Sequence, residues 1–541
     1  MLLQRLPSAL EDAEILITRR LKAKEKRDLW VSTYREAYQY AMPARETFSW
    51  NTEGANKQRQ LYDSTLQEST YTAANMIHAL LFPAWTRWMA LAPGGAIPKD
   101  GVTPEITEGL QQATKTFFDY LNISNFDTVI GEAALDLMVG TCALQFDEGP
   151  TNDNPFIFRG LPLSALEAEE GPDGSIETTW MERKPKARDL LRLYPGLTVF
   201  DLSAATQKLV VEKPDTEVCV IQGKVYDPDT KHYYGIVIEE AAKQIIWRYD
   251  YQSSSPIIVA RAMKVAGETY GRGRVLLALA DAKTLDRMQE YVLKHSALQI
   301  APPLTGVSDG VLNPYTASLM PNTIIPVASN DSGNPTLRAL EMGGNFQITE
   351  SLLAGLRERV RRTMIGPEPS EGAVKSATEI SISDRNRLWS MNGEFARIQA
   401  ELLAPIVARG VFILQKKGLI PKFKVNGREV AVTYNSPFSK SQADEDVMNM
   451  ASALQTAALA GPQAAQMGIK VEDIPAWVFR RKGVDEALVR SDVERAQLEQ
   501  KLAEAAKAAM AQQQQAAANG APAGAGGGAM GMMQGMMQGA G

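Results

Sequence analysis

The sequence predicts an α+β protein that is mainly helical. Long stretches carry apolar residues three or four positions apart, the spacing that keeps one face of an α-helix buried. The segment 142–258 differs, because short β-rich runs follow one another there without crossover helices, which indicates antiparallel strands. The chain has 541 residues, of which 45% are hydrophobic and 22% charged. This is an ordinary globular composition, long enough for several domain-sized units.

The N-terminal part is predicted to be helical. A helix over 15–41 has Trp30, Tyr34 and Tyr38 at near-helical spacing and ends before Pro43. Its basic run, residues 19–27, is expected to be a solvated face. Further helices are predicted over 63–82, 107–121 and 126–138.

The middle region is predicted to form strands. The β-rich runs cover 141–146, 217–225, 232–239 and 244–249, with turn residues at 171–174 and 227–229. The carboxylates Glu167, Glu169 and Glu170 are expected to lie in a charged loop. The only cysteines, Cys142 and Cys219, are far apart and are expected to be buried thiols.

Two helices with an unusual segment between them are predicted next. The first covers 273–300 and the second 345–365, and the second has four arginines in its last turns. Residues 304–344 between them have few charges and many Pro, Gly, Asn and Ser residues. Such an insert is either a lid or a small strand-bearing module that meets partners.

The longest predicted element is a helix over 378–417, about 60 Å if continuous at 1.5 Å per residue. Pro405 lacks a backbone donor and clashes with the carbonyl group of Glu401, so we expect a kink there. Residues 366–377 are rich in Pro, Gly and small polar residues, which predicts a loop joining two long helices. By periodicity alone, a helical hairpin in a large α-rich enzyme would look the same.

The C-terminal part is predicted to be a strand pair followed by helices. Residues 418–438 indicate two strands around Asn426 and Gly427, a hairpin-type turn. Helices are expected over 441–459, 471–481 and 491–515. The tail 516–541 consists mainly of Gly, Ala, Met and Gln and is expected to be disordered.

The sequence predicts no catalytic residues, no metal ligands and no cofactor. It has no phosphate-binding glycine loop of the ATPase type, and only Gly271 and Gly273 stand before the helix at 273–300. The histidines, His78, His232 and His295, are widely separated. A net charge of -6 argues against a dedicated nucleic-acid binder. No run approaches the ~18 apolar residues of a membrane helix, so membrane insertion is not expected.

Four stretches together resemble the portal proteins, the head-to-tail connectors of short-tailed phages of the podovirus type. Their order and spacing carry the resemblance, which covers roughly 29–480. The stretches are residues 59–93 with Tyr62, Asp63, Ser64 and Thr65; Glu268 to Arg272 with Asp281 and Leu285 after them; Ala377 to Ile380; and Leu402 to Pro421.

The resemblance implies a domain order. Residues 1–266 would be the wing, 267–300 the first stem helix, 301–344 the clip and 345–365 the second stem helix. The tunnel loop would be 366–377 and the long kinked wing helix 378–421. The crown would be 422–515, with the disordered tail 516–541 after it.

By the same resemblance, the chain forms a dodecameric ring at one capsid vertex, through which double-stranded DNA enters and leaves. The implied partners are the terminase large subunit, a tail adaptor, and the major capsid and scaffolding proteins, in the virion and, during assembly, in the host cytoplasm. The channel residues would be Gly366, Pro367, Glu368, Ser370, Glu371 and Lys375. The candidates for phosphate contact are Arg357, Arg361, Arg362 and Lys375.

Three alternatives stay open at this point. The basic residues could form salt bridges between subunits instead of binding phosphate. The chain could be a nucleic-acid-processing enzyme of unfamiliar type, with its site in 142–249. It could also be another structural virion protein, such as a tail adaptor.

Overall fold

A computed structural model describes most of the chain. The described residues are 10–49, 54, 61–83, 87–92, 104–307, 324–327, 337–339, 346–366, 392–421, 431–434, 446–456, 473–481, 498 and 501. The chain divides into two compact units, Met1–Phe438 and Ser439–Gly541. The α+β, mainly helical fold class is confirmed.

The first unit begins with four helices. They are α1 (Ala13–Ala41), α2 (Thr65–Leu81), α3 (Pro104–Ile123) and α4 (Phe126–Val139). Each agrees with a predicted helix to within three residues. Helix α1 starts at an Asp12 cap, whose carboxylate accepts the Glu14 N–H at 2.8 Å. A short strand, β1 (Met89–Ala92), lies between α2 and α3.

Two antiparallel sheets follow. A three-stranded sheet has the order β3 (Phe156–Leu161), β2 (Thr141–Glu148), β9 (Ile257–Arg261). A five-stranded meander runs in chain order through β4 (Leu166–Glu170), β5 (Ile176–Arg183), β6 (Val220–Asp227), β7 (His232–Glu239) and β8 (Gln244–Asp250). Two short helices, α5 (Leu190–Leu193) and α6 (Ala204–Glu212), join β5 to β6. The predicted antiparallel strands are confirmed.

The two paired helices form at the predicted places. They are α7 (Arg274–Ile300) and α8 (Phe346–Ile365). Between them lie β10 (Leu304–Val307), β11 (Ile324–Val327) and β12 (Leu337–Ala339), with β10 in the centre, parallel to β11 and antiparallel to β12. The insert therefore contains a small sheet, which favours the strand-bearing module over the lid.

The long predicted helix is described from Asn392 onward. It comprises α9 (Asn392–Ile398), a π-helical turn (Gln399–Leu403) and α10 (Ala404–Lys416). Buried residues on all three parts join one large core that also contains side chains of α1 to α4 and α7. At Gly410 a Cβ would lie 2.4 Å from the Phe117 ring, so this glycine lets α10 approach α3. The first part of the predicted helix, 378–391, lies outside the described residues.

Among the residues that the structure describes, one helix has the length and composition of a membrane span. The segment Gly393–Lys416 has a mean hydropathy of 1.4, and half of its most apolar window is buried inside the protein. Ile398, Leu402, Ile406 and Ile413 on this helix are at most 3% exposed. These contacts are those of a core helix.

The strand after the predicted turn at Asn426 and Gly427 has a distant partner in place of a neighbouring strand. A strand forms at β13 (Ala431–Tyr434), but it pairs with the distant β1 in antiparallel register. Residues 422–430, which include the turn, lie outside the described residues. In the second unit, helix is described over 446–456 and over α11 (Ile474–Arg481). Residues 516–541 are outside the described part.

Candidate functional site

The paired helices α7 and α8 are held together by a small apolar cluster. Leu285 of α7 packs with Leu353 and Leu356 of α8, and all three are at most 7% exposed. Met288 and Val292 of α7 pack against this cluster. The pair is thus a rigid two-helix element, with one side of each helix still facing outward.

Arg357, a candidate phosphate contact, is engaged inside the chain. Its Nε donates to Asp63 Oδ2 at 2.9 Å and its Nη2 donates to Gln289 Oε1 at 3.2 Å. Asp286 of α7 accepts the backbone N–H groups of Tyr62 and Asp63 at 2.7 and 3.2 Å. The Tyr62–Asp63 segment thus ties the start of α2 to both paired helices, and Arg357 belongs to that tie.

Arg361 and Arg362 have a different environment. Both are exposed, and no ion pair joins them to another residue that the structure describes. Arg359 on the same helix is exposed as well. These cations lie in the last turns of α8, where the helix dipole also favours positive charge. Four residues after Arg362, Gly366 adopts a φ of 93°, which ends the helix in a conformation suited to glycine.

The other predicted loop residues are outside the described part of the chain. They are Pro367, Glu368, Ser370, Glu371 and Lys375. Their contact with DNA stays a prediction.

Pro405 lies directly after the π-helical turn. The Ala404 N–H group bonds to the Gln399 carbonyl, five residues back, so the hydrogen-bond pattern widens just before the residue that has no N–H group. The predicted kink at Pro405 therefore coincides with a change of helix type. The bend itself stays a prediction.

The stretch Glu268–Arg272 acts as a buried joint between β9 and α7. Tyr270 donates its hydroxyl to the Leu166 carbonyl at 3.0 Å and accepts the Ala168 N–H at 3.1 Å. A Cβ at Gly271 would lie 2.4 Å from the Gly140 carbonyl oxygen. The tyrosine thus fastens this stretch to β4, and the glycine permits a close backbone approach.

The carboxylates predicted in a charged loop lie in strand β4 instead, so that prediction is wrong. Glu167 is 1% exposed and binds the buried Arg20 guanidinium, with Nε to Oε2 at 2.8 Å. Arg19 pairs with Glu169 at 2.8 Å, and Lys264 with Glu170. These ion pairs allow acidic residues to sit inside a sheet.

Arg20 likewise contradicts the prediction that its basic run is a solvated face. It is 2% exposed and also binds Glu182 at 2.8 Å and Glu240 at 3.1 Å. Burial acts to lower the pKa of Arg20, but its bonds with Glu167, and then those with Glu182 and Glu240, raise it above the ordinary value. Arg20 thus fastens α1 to the five-stranded sheet.

The region proposed for an enzyme site contains one potential metal-ligand group among the described residues. It consists of Glu182, Cys219 and Glu240. The Arg20 guanidinium already binds both carboxylates, and the Cys219 thiol donates to Glu240 at 3.0 Å. Burial, then the bond to Glu240, raises the pKa of Cys219 to about 12. Both cysteines are free; Cys142 is buried as predicted, while Cys219 is partly exposed.

The comparison with protein families matches nearly the whole chain. Residues 13–489 match the family described as bacteriophage head to tail connecting protein. The chain belongs to this family. Its members connect the head of a phage particle to its tail, which is a structural role in the virion.

Individual relatives of this connector are distant. The portal protein of Escherichia phage T7 is 21% identical over 377 residues, which cover 66% of this chain and 67% of that protein. A chain in the virion of a native gene transfer agent particle has a TM-score of 0.31 at 11% identity, covering 72% of this chain and 90% of its own length. A chain in the neck of an empty gene transfer agent particle has a TM-score of 0.32 at 10% identity, covering 72% and 86%.

Proposed function

We propose that this connector is the subunit of a portal, a homo-dodecameric ring at one capsid vertex through which double-stranded DNA enters and leaves the head. The observation that carries the proposal is the family match over residues 13–489, which includes both paired helices and the elements on either side of them. In this proposal α7 and α8 form the stem and β10 to β12 belong to the clip.

The outward sides of the paired helices support a ring. On α8, Ile348 is 60% exposed and Leu352 is 56% exposed, one helical turn apart, and Gly355 has open space beside it. On α7, Leu277 and Ile300 are 59% and 85% exposed. Exposed apolar side chains along paired helices are typical of a protein interface. A second copy of the chain would cover them in a closed ring.

The charge of the chain suits loose passage of DNA. At a net charge of -6, the chain has no general attraction for phosphate, and a few basic positions would hold the duplex weakly enough to slide. Arg361, Arg362 and Lys375 are the proposed phosphate contacts. Arg357 is less suited to this role because Asp63 already binds it. The terminase large subunit and a tail adaptor are proposed to dock on the ring.

A single substitution on α8 tests the ring. Leu352→Glu places a charge in the proposed interface. A ring of twelve chains of 59.2 kDa has a mass of about 710 kDa. In mass photometry, the mass of the variant protein should fall from this value toward that of one chain. Phe200→Glu is the control, because Phe200 is an exposed apolar residue, 89% exposed, far from α7 and α8 in sequence. The control should keep the ring mass.

The folded state of both variants is checked by circular dichroism and thermal melting. A Leu352→Glu variant that melts like the wild type and keeps the ring mass would contradict a subunit interface on this face. A wild-type protein that stays monomeric at every concentration tested would contradict the portal proposal itself.

A further inference from the structure

The linker between β9 and α7 has a buried arginine at each end. Arg261 is the last residue of β9 and is 1% exposed, and Arg274 is the first residue of α7 and is 6% exposed. Between them lie the 12 residues 262–273, with Gly273 as the N-cap of α7. Both guanidinium groups reach the same distant helix, and that of Arg261 also donates to the Thr269 carbonyl of the linker at 3.3 Å.

Arg274 joins three segments of the chain. Its Nε donates to both carboxylate oxygens of Glu394 at 3.1 and 3.0 Å, and its Nη1 donates to the Met364 carbonyl at 3.0 Å. Met364 lies in the last turn of α8, and Glu394 lies in the first turn of α9. One side chain therefore joins the last turn of α8 to the first turn of α9.

Arg261 holds the next part of the same helix. Its Nη2 donates to Glu401 Oε1 at 2.7 Å and its Nε to Oε2 at 3.1 Å, while its backbone N–H donates to Oε2 at 2.9 Å. Glu401 lies inside the π-helical turn Gln399–Leu403. Arg397 adds a bond to Oε1 at 3.2 Å. The π turn is thus tied to the end of β9 by three donors from one residue.

The two acceptors, Glu394 and Glu401, are seven residues apart, about two helical turns, so they face the same side of the helix. Burying charged pairs is a costly way to gain stability, since apolar side chains of similar size would serve as well or better. What a bidentate arginine adds is a fixed geometry. The pattern therefore indicates control of position and register.

Register matters here because the π turn contains one residue more than an α-helical turn. If it relaxed to an α-helix, the helix before it would rotate by about 100° relative to the helix after it. α9 would then turn another side toward the core.

We propose that Arg261 and Arg274 are positioning residues that fix α9 and the π turn relative to the end of α8. In the portal, on whose proposed function this inference rests, residues 367–391 between these two helices would include most of the channel loop. The two arginines would couple the position of the stem helices to that of the loop.

The test uses the full-length protein with Glu394→Gln and Glu401→Gln, which keep the side-chain shape and remove the charge. The control is Glu268→Gln, because Glu268 pairs with Arg272 inside the same linker at 2.6 Å and does not reach α9. Hydrogen exchange is measured by mass spectrometry on peptides covering 359–366 and 393–403. Ring mass and the DNA content of particles assembled with each variant are measured in parallel.

We expect exchange at 393–403 to be about tenfold faster in both variants, because each loses a charged hydrogen bond. Glu394→Gln should also speed exchange at 359–366, while Glu268→Gln changes neither region. Ring mass should stay at the wild-type value, and packaged DNA should fall. Should either variant fail to fold, Glu394→Asp and Glu401→Asp replace them, with a smaller change in the same direction.

Exchange rates equal to those of Glu268→Gln would show that Arg261 and Arg274 do not fix α9 and the π turn. Faster exchange with full DNA packaging would contradict a role of the two arginines in positioning the channel loop. If the wild type forms no ring, the portal proposal fails, whereas the exchange data still decide whether the two arginines fix α9.

Discussion

Lys224 lies in the middle of β6 and is 2% exposed. Its ammonium group is 5.0 Å from the centre of the Tyr233 ring. Burial lowers the pKa of Lys224 to about 7, and the nearby Glu177 opposes this shift only in part. Arg20 is as deeply buried as Lys224, but three carboxylates bind its guanidinium group.

Replacing Lys224 by methionine should stabilise the protein. In the unfolded chain this lysine titrates near 10.5, so between pH 7 and 10.5 the unfolded state binds more protons and stability rises with pH. Below pH 7 the folded state bears the full cost of a buried charge. Lys224→Met removes that cost, and we expect a gain of about 1–3 kcal/mol at pH 7.

Thermal melting of both proteins from pH 6 to 10 measures this effect. The melting temperature of Lys224→Met should exceed that of the wild type most at pH 6 to 7, and the difference should shrink as the pH rises. A variant that melts below the wild type, with the same difference at every pH, would contradict a buried charge at this position.

Buried ion pairs are the feature that sequence reasoning missed at this scale. Arg20 follows Leu16 by four residues and precedes Ala23 by three, so it stands in the apolar stripe of α1, and this position is the signal that it is buried. Glu167 stands between the buried Leu166 and Ala168, where a loop would need no apolar neighbours. Its partners lie on other elements, so the sequence could not indicate that its charge is compensated.

At the scale of elements, helices with a strong apolar period were predictable. The bounds of α7 and α8 differ from the prediction by one residue, because each has a stripe of buried residues and a glycine or proline at its ends. The pairing of β13 with β1 was not predictable. A turn such as Asn426-Gly427 indicates a local hairpin, whereas a partner far away in the sequence leaves no local pattern. The π turn before Pro405 was not predictable either, because the proline indicates only a kink and not a change of helix type.

The basic end of α8 has a prediction of its own. Arg361→Gln with Arg362→Gln removes two exposed charges that no described residue pairs with, so we expect packaged DNA to fall severalfold while ring mass is unchanged. Arg287→Gln on α7 is the control, because Arg287 is 63% exposed in its side chain and already pairs with Glu290.

The measurement is the DNA content of particles assembled with each variant, together with the melting temperature of each ring. A double variant that packages as much DNA as the Arg287→Gln control would remove Arg361 and Arg362 from the list of phosphate contacts. In that case their role is limited to favourable interaction with the helix dipole.

At the scale of the whole molecule, the order of the elements carried more information than any single motif. The three scattered histidines and the lack of a phosphate-binding loop favoured a protein that is not an enzyme. Four short stretches in a given order indicated a connector. The family match over residues 13–489 confirms the connector family. The division into wing, stem, clip and crown stays a prediction, because it describes how copies are arranged in a ring.

The portal proposal requires that copies of this chain close into a ring with a channel. The most direct measurement is electron microscopy of the purified full-length protein, with class averages sorted by rotational symmetry. We expect twelvefold rings with a central hole, in which α7 and α8 surround the channel. A uniform population of monomers or dimers, or an open filament without a hole, would contradict it.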